Sequence, residues 1–451
     1  MLPLLIARAK QEGQVEGVIP HLVDDGLSIL QYVDDTIIFM SYDMEKARNM
    51  KYLLYVFEQL SGLKINFHKS DFFCFGKAKE SEIEYSQLFG CRIGEFPFRY
   101  LGLPMHFRKL SNKDLRIVEE RFVRKLSSGK GKLLSVGGRL VLINSVLTSL
   151  PMFMMLFFEL PKGVLKKLDY YRSRFFWQND QHKKKHRLVK WSLACQPKQQ
   201  GGLGIQNLEI QNICLLSKWL FKLHNEDGLW QSILKNKYLS NKTIGGCTSR
   251  SSDSHFWKGL MKVKDQFLSL GSFKVNNGAQ TRFWEDVWLG NQPLKLKFPS
   301  LFNVVCRKQD TVAVVLNSTP PNVSFRRVLR GQNLNNWNRI VSSIADVQLS
   351  EDPDFFHWSL HSSGQFSVKS MYAALVNNGV SVSQDIWRAK LPTKIKVFVW
   401  YLKKKVILTK DNLVRRNWYG DKSCAYCHVP RLYNICFLVV LMRSFCGAQF
   451  M

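Results

Sequence analysis

The sequence predicts an α+β protein, and three observations carry that prediction. Residues 30–40 read as strand, tight turn, strand; residues 111–225 carry apolar positions at helical spacing; and short alternating runs lie between helical stretches before residue 110. With 451 residues and 45% hydrophobic content, the chain can bury more than one core and is expected to hold two or more domains.

Taken in order, Leu2 to Ala9 has helical character, which Gly13, Gly17 and Pro20 break. In residues 30–40, Val, Ile, Tyr and Phe flank Asp34 and Asp35, which fall at the turn. Two adjacent carboxylates repel each other, and burial disfavours both. A divalent cation such as Mg²⁺, which takes one or two carboxylates together with substrate phosphates, removes that cost. A turn whose Asp residues merely suit its geometry and face water is the other reading. Met44, Ala47, Leu54, Phe57 and Leu60 then recur at helical spacing, with Gly62 as a C-cap. Residues 63–70 alternate like a strand, residues 72–75 extend it, and residues 98–104 suggest a tight strand pair.

Past residue 110, Leu115, Val118, Phe122 and Leu126 share one helix face, with Arg116, Arg121, Arg124 and Lys125 on others. Leu140, Ile143, Val146, Leu147 and Leu150 repeat the pattern after Gly137 and Gly138. Such stripes are core and carry no chemistry. Phe175, Phe176 and Trp177 precede Lys183, Lys184, Lys185, His186 and Arg187, followed by Lys190 and Trp191. Basic residues interleaved with aromatics suit a single-stranded or hybrid nucleic acid. A solvated loop and a nuclear-import signal fit the Lys run as well. Gly201, Gly202 and Gly204 match neither the dinucleotide nor the P-loop spacing. Residues 226–353 are less regular; Trp284 and Trp288 would share a helix face or pack either side of a turn, and packing is the preferred reading. Pro320-Pro321 and the polar run 332–338 read as connectors.

Composition points to a partner rather than a fold. Lys plus Arg number 65 against 35 for Asp plus Glu, a net charge of +30. The commonest polyanionic partner of so basic a chain is nucleic acid. No basic amphipathic anchor favours a membrane surface, and the apolar run 152–158 falls far short of the roughly 20 residues of a membrane span. The ten cysteines are scattered singly except Cys424 and Cys427, which is no disulfide framework. A reducing intracellular setting, nucleus or cytoplasm, is expected, and residues 1–7 are too short for a signal peptide.

Tyr32-Val33-Asp34-Asp35 resembles the Y-x-D-D box of reverse transcriptases, and the run from His21 through Phe39 resembles that region of plant LINE-type (non-LTR) retrotransposon polymerases. Val33 departs from the Ala of most plant members. The resemblance extends through residues 98–104, the primer-grip region, where Gly102 beside Tyr100 would let the backbone approach a sugar-phosphate. An ordinary β-turn beside a core is the other reading of that pair. Residues 130–139, with Lys130, Lys132 and Arg139, resemble the wording of a basic thumb that would grip a duplex through phosphates. The resemblance implies a partial palm over residues 1–110, a helical thumb and connection over 111–225, a linker region over 226–353 and a zinc-binding-like domain over 354–446. In the family, a glycine run such as 201–204 introduces the helix expected at 205–224.

That last domain rests on residues 364–370 and 386–400 and on the Cys424-x-x-Cys427 knuckle, half of a tetrahedral Zn²⁺ site. The family implies a later His and Cys; here Cys436 stands near the expected His, Cys446 is a late candidate, and His428 lies too close to Cys427. Residues 434–451 drift from the family, as a frameshift or mis-spliced exon would make them.

The resemblance also implies two-metal nucleotidyl transfer on an RNA or DNA template-primer, using deoxynucleotides, with Mg²⁺ or Mn²⁺ on Asp34 and Asp35 and Lys69 near the departing pyrophosphate. That chemistry needs a third palm carboxylate and nucleotide-binding fingers, and the 33 residues before Asp34 are expected to hold neither. Asp24 and Asp25 do not resemble the missing motif. The chain is thus expected to be one of three things. It is a 5′-truncated polymerase with little activity alone, or a basic nucleic-acid-binding remnant with a vestigial Asp pair, or a chain that does not fold stably because an open sheet edge and apolar surface stay exposed.

Overall fold

The computed structural model describes residues 1–106, 110–127, 133–177, 187–239, 242–382 and 384–420. These mix helices with short paired strands, as an α+β reading requires. The chain divides into two discontinuous compact units, Met1–Asp114 with Leu216–Ser367, and Leu115–Leu215 with Val368–Met451. Among the described residues no helix is long and apolar enough to cross a membrane.

The first unit opens with the helix Leu2–Gln11, whose Leu2, Ile6 and Ala9 pack on Ala47, Met50 and Leu54 of the helix Met44–Ser61. The latter begins where the Asp43 carboxylate accepts the N–H groups of Glu45 and Lys46. It ends at Gly62, which is left-handed at φ +71° and returns its N–H to Glu58. Tyr85 and Phe89 of the helix Glu82–Phe89 close this core, with the Tyr85 ring stacked 5.6 Å from Phe72.

The strand expected over residues 63–70 is absent. The Asn66 side chain accepts the Lys69 N–H and winds Phe67–Lys69 into a 3₁₀ turn, while the Glu58 carboxylate takes the Ile65 N–H. Local side-chain acceptors outcompete a ladder that has no partner strand. The second expected run shortens to Asp71–Phe72, paired in parallel with Arg92–Ile93.

A second core of this unit gathers Phe283, Trp284, Leu294, Leu301, Val305, Val312, Ile340 and Ile344. Trp284 is fully buried, and Trp288 packs 5.4 Å from Phe283 while its indole N–H donates to the Phe283 carbonyl at 2.8 Å. The Trp pair therefore packs about a turn. The polar run 332–338 is no connector; it begins the helix Gln332–Ile344, because Trp337, Ile340 and Ile344 supply a buried stripe that its Asn content obscures. Elsewhere Gly271–Lys274 pairs antiparallel with Phe355–Trp358, Gly271 opposite Trp358. The helix His255–Leu268 backs this ribbon, its Phe267 ring 5.7 Å from Trp358.

In the second unit the helix Arg116–Ser127 follows Leu115 and packs against Lys162–Trp177; Leu115, Val118, Phe122 and Leu168 are all fully buried. The Lys167 ammonium pairs with the Glu119 carboxylate across this contact. Gly137 lies inside the helix Val136–Leu142, where a Cβ would stand 2.6 Å from the Lys394 nitrogen that opens the helix Thr393–Lys403. This glycine permits close helix contact and does not break the chain. Arg172, fully buried on Lys162–Trp177, donates to the Thr148 hydroxyl at 3.1 Å and the Gln206 carbonyl at 3.0 Å, and pairs with Asp169.

Candidate nucleic-acid and metal sites

The Asp pair sits on a two-residue hairpin. Ile29–Tyr32 runs antiparallel to Asp35–Ile38 with Tyr32 opposite Asp35, so Val33 and Asp34 form the loop. Val33 takes φ +55°, a conformation that a β-branched residue adopts only at a cost on the order of 1–3 kcal/mol. Its side chain is 78% exposed, and Asp34 and Asp35 are exposed beside it. Asp34 in the loop and Asp35 at the start of the second strand, where the sequence pattern puts both in the turn, thus set two adjacent carboxylates at the tip of a ribbon, beside strain of the kind that collects at functional positions.

Among the described residues, no group of three or more His, Cys, Asp or Glu side chains is placed to hold a metal ion. Adjacent exposed carboxylates such as Asp34 and Asp35 are donors of the type that a hydrated Mg²⁺ or Mn²⁺ takes together with substrate phosphates. Lys69 is exposed on its own turn, and among the described residues no hydrogen bond or ion pair joins it to the hairpin.

Residues 98–105 form the expected tight pair, with Tyr100 opposite Leu103. Leu101 at φ +49° and Gly102 at φ +80° make a two-residue turn with both central residues left-handed, which glycine accommodates without strain. Tyr100 is half-buried and Gly102 exposed.

Arg139 requires a correction. It is 6% exposed; its Nε and Nη2 donate to the Leu134 carbonyl, each at 3.2 Å, and its Nη1 donates to the Phe176 carbonyl at 3.2 Å. Burial lowers its pKa, partly offset by Tyr401. This guanidinium ties helices together and does not face a phosphate. The aromatic half of the basic–aromatic stretch is also core: Phe176 and Trp177 are buried, their rings 4.7 Å apart edge to face. Arg187 is exposed, 5.8 Å from the Tyr170 ring. Lys130, Lys132, Lys183, Lys184 and Lys185 lie outside the described residues, as do Cys424, Cys427, Cys436 and Cys446.

Residues 366–435 match the family described as zinc-binding in reverse transcriptase. That span includes Cys424 and Cys427 and ends one residue before Cys436. The chain is 28% identical over 335 residues to a putative ribonuclease H protein of Arabidopsis thaliana, a match covering 72% of this chain and 54% of that protein. It thus spans about half the length of that relative. An uncharacterized mitochondrial protein of the same plant is 29% identical over 144 residues, 31% of this chain and 93% of the relative. Together these similarities point to a retrotransposon-type protein.

Proposed function

We propose that the chain is the part of a LINE-type reverse transcriptase that runs from the Asp-Asp hairpin through the zinc-binding region, and that it binds nucleic acid without extending primers unaided. The observation that carries this reading is the hairpin itself, with Asp34 and Asp35 exposed at a strained tip and no third acidic ligand beside them among the described residues. Asp34 and Asp35 would hold a single Mg²⁺ or Mn²⁺ against phosphate. A single ion does not sustain two-metal transfer, and losing such charge stabilisation costs orders of magnitude in rate. Zn²⁺ would sit on Cys424 and Cys427 with further ligands among Cys436 and Cys446, a structural role within residues 366–435 and just beyond. The net charge of +30 and the reverse-transcriptase-type relatives support an RNA or DNA partner.

The test is titration of fluorescently labelled RNA and of an RNA–DNA hybrid with the purified chain at several salt concentrations. Binding that weakens linearly in log–log form as salt rises is expected, with a slope near −0.9 for each duplex phosphate neutralised. Soluble, folded protein that leaves both probes free at low salt would contradict the reading.

A further inference from the structure

From Thr311 to Ala345 the chain has no acidic residue and no lysine; its charged side chains there are Arg326, Arg327, Arg330 and Arg339. All four are exposed, and among the described residues none of their guanidinium groups makes an ion pair. Arg326 is anchored beside the Val305–Phe325 bridge, where its N–H donates to the Val304 carbonyl at 2.8 Å. The next residues lead directly into the helix Gln332–Ile344. That helix buries Ile340 and Ile344 and half-buries Trp337, so Gln332, Asn335, Asn338 and Arg339 fall on its outer side and are exposed. Arginines at one end and amide and guanidinium donors along the helix make a surface that offers hydrogen-bond donors in quantity, drawn from a span of chain that carries no carboxylate.

We infer that this surface, Arg326 to Arg339, is a contact for the sugar-phosphate backbone of a nucleic-acid duplex. Arginine's planar fork matches phosphate oxygens bidentately, and amide side chains commonly make further backbone contacts. A duplex is favoured over a single strand for a physical reason. Single strands bind by stacking bases on exposed aromatic rings. Here the neighbouring aromatics are committed elsewhere: Phe325 and Trp337 are half-buried and stand 5.1 Å apart, edge to face, against the core around Trp284. The surface can grip phosphates and has no free ring on which to stack a base. The inference rests on the proposed nucleic-acid binding and names a place for it that the basic runs of the sequence do not include.

The experiment compares the full chain with the Arg326→Gln, Arg327→Gln, Arg330→Gln, Arg339→Gln variant on a 20-base-pair duplex and on a matching single strand. A control variant carries Lys218→Gln, Lys237→Gln, Lys242→Gln and Lys297→Gln, an equal loss of exposed charge. Far-UV circular dichroism and thermal unfolding verify that each variant folds. The expected result is at least a tenfold loss of duplex affinity for the arginine variant, with the log–log salt slope shallower by about 3.6, and a single Arg339→Gln change that shallows it by about 0.9. The lysine control should retain most of the affinity. Equal losses in both variants, or a loss confined to the single strand, would overturn the inference. Wild-type protein that ignores both probes would sink this inference and the nucleic-acid reading together, whereas wild-type binding that survives in the arginine variant would sink this inference alone.

Discussion

Replacing Asp354 by alanine is expected to destabilise the first unit by about 4 kcal/mol, a large part of the 5–15 kcal/mol that holds a typical domain. The carboxylate is 4% exposed and stands just before the strand Phe355–Trp358. Its Oδ1 accepts the N–H groups of Asn276 and Gly278, each at 2.8 Å. Its Oδ2 accepts those of Gln280 and Thr281, each at 3.1 Å, and the Thr281 hydroxyl at 2.8 Å. One side chain thus folds the loop 276–281 onto the end of the ribbon. Alanine would leave these donors without a partner where little water can replace it, and an unmade buried hydrogen bond costs more than a made one contributes. Asp354→Asn keeps one acceptor oxygen but turns an amide NH₂ toward N–H donors, so a smaller loss of about 2 kcal/mol is expected. Urea unfolding followed by tryptophan fluorescence reads both, because Trp284 and Trp358 are fully buried in the same unit. A loss below about 1 kcal/mol in the alanine variant would show that the loop is held by something else.

The second large effect is a pH dependence centred on Asp286. Burial pushes this carboxyl up to about 7; the neighbouring Glu285 adds to the rise, and the Arg282 N–H, which donates to its Oδ2 at 2.8 Å, opposes it. The folded state therefore binds this proton more tightly than the unfolded chain, whose carboxyl titrates near its ordinary value of 3.8. The stabilisation is fully present below the unfolded value and is lost as pH rises through the folded one. Between pH 4 and pH 7 the wild type should lose on the order of 4 kcal/mol relative to Asp286→Asn, which cannot ionise and whose amide oxygen can still accept the Arg282 N–H. Parallel stability profiles for the two proteins across that window would mean that Asp286 ionises normally in the fold.

The parts of this structure that were legible in the sequence are those fixed by local pattern. The hairpin around Asp34 and Asp35, the helix ending at Gly62, the tight pair at Leu101 and Gly102, and the stripe Leu115, Val118 and Phe122 follow from turn residues and periodicity. What escaped depends on which partner each group finds in the fold, distant in the chain for some and close for others. The strand Gly271–Lys274 pairs with Phe355–Trp358 more than eighty residues on, and no local signal links them. Arg139 reads as a phosphate contact among basic neighbours until Leu134 and Phe176 take its hydrogen bonds. Residues 63–70 alternate in polarity like a strand, yet Asn66 and Glu58 satisfy the backbone locally. In sequence Asp354 is one acid among several before a run of aromatics, and only the folded loop reveals its five donors. The arginine-only stretch is visible as composition, since a 35-residue span without an acid stands out in any charged chain, but its meaning needs the helix that presents it.

The most direct measurement is primer extension on an RNA template by the purified chain, with Mg²⁺ and with Mn²⁺, beside the Asp34→Asn variant. The expected result is no extension by either protein under conditions where both bind the template-primer, because on the proposed reading Asp34 and Asp35 hold a single metal ion and two-metal transfer needs two. Metal-dependent extension by the wild type that Asp34→Asn abolishes would contradict this: the chain would then complete a two-metal centre on its own, and it would have to be read as a working polymerase.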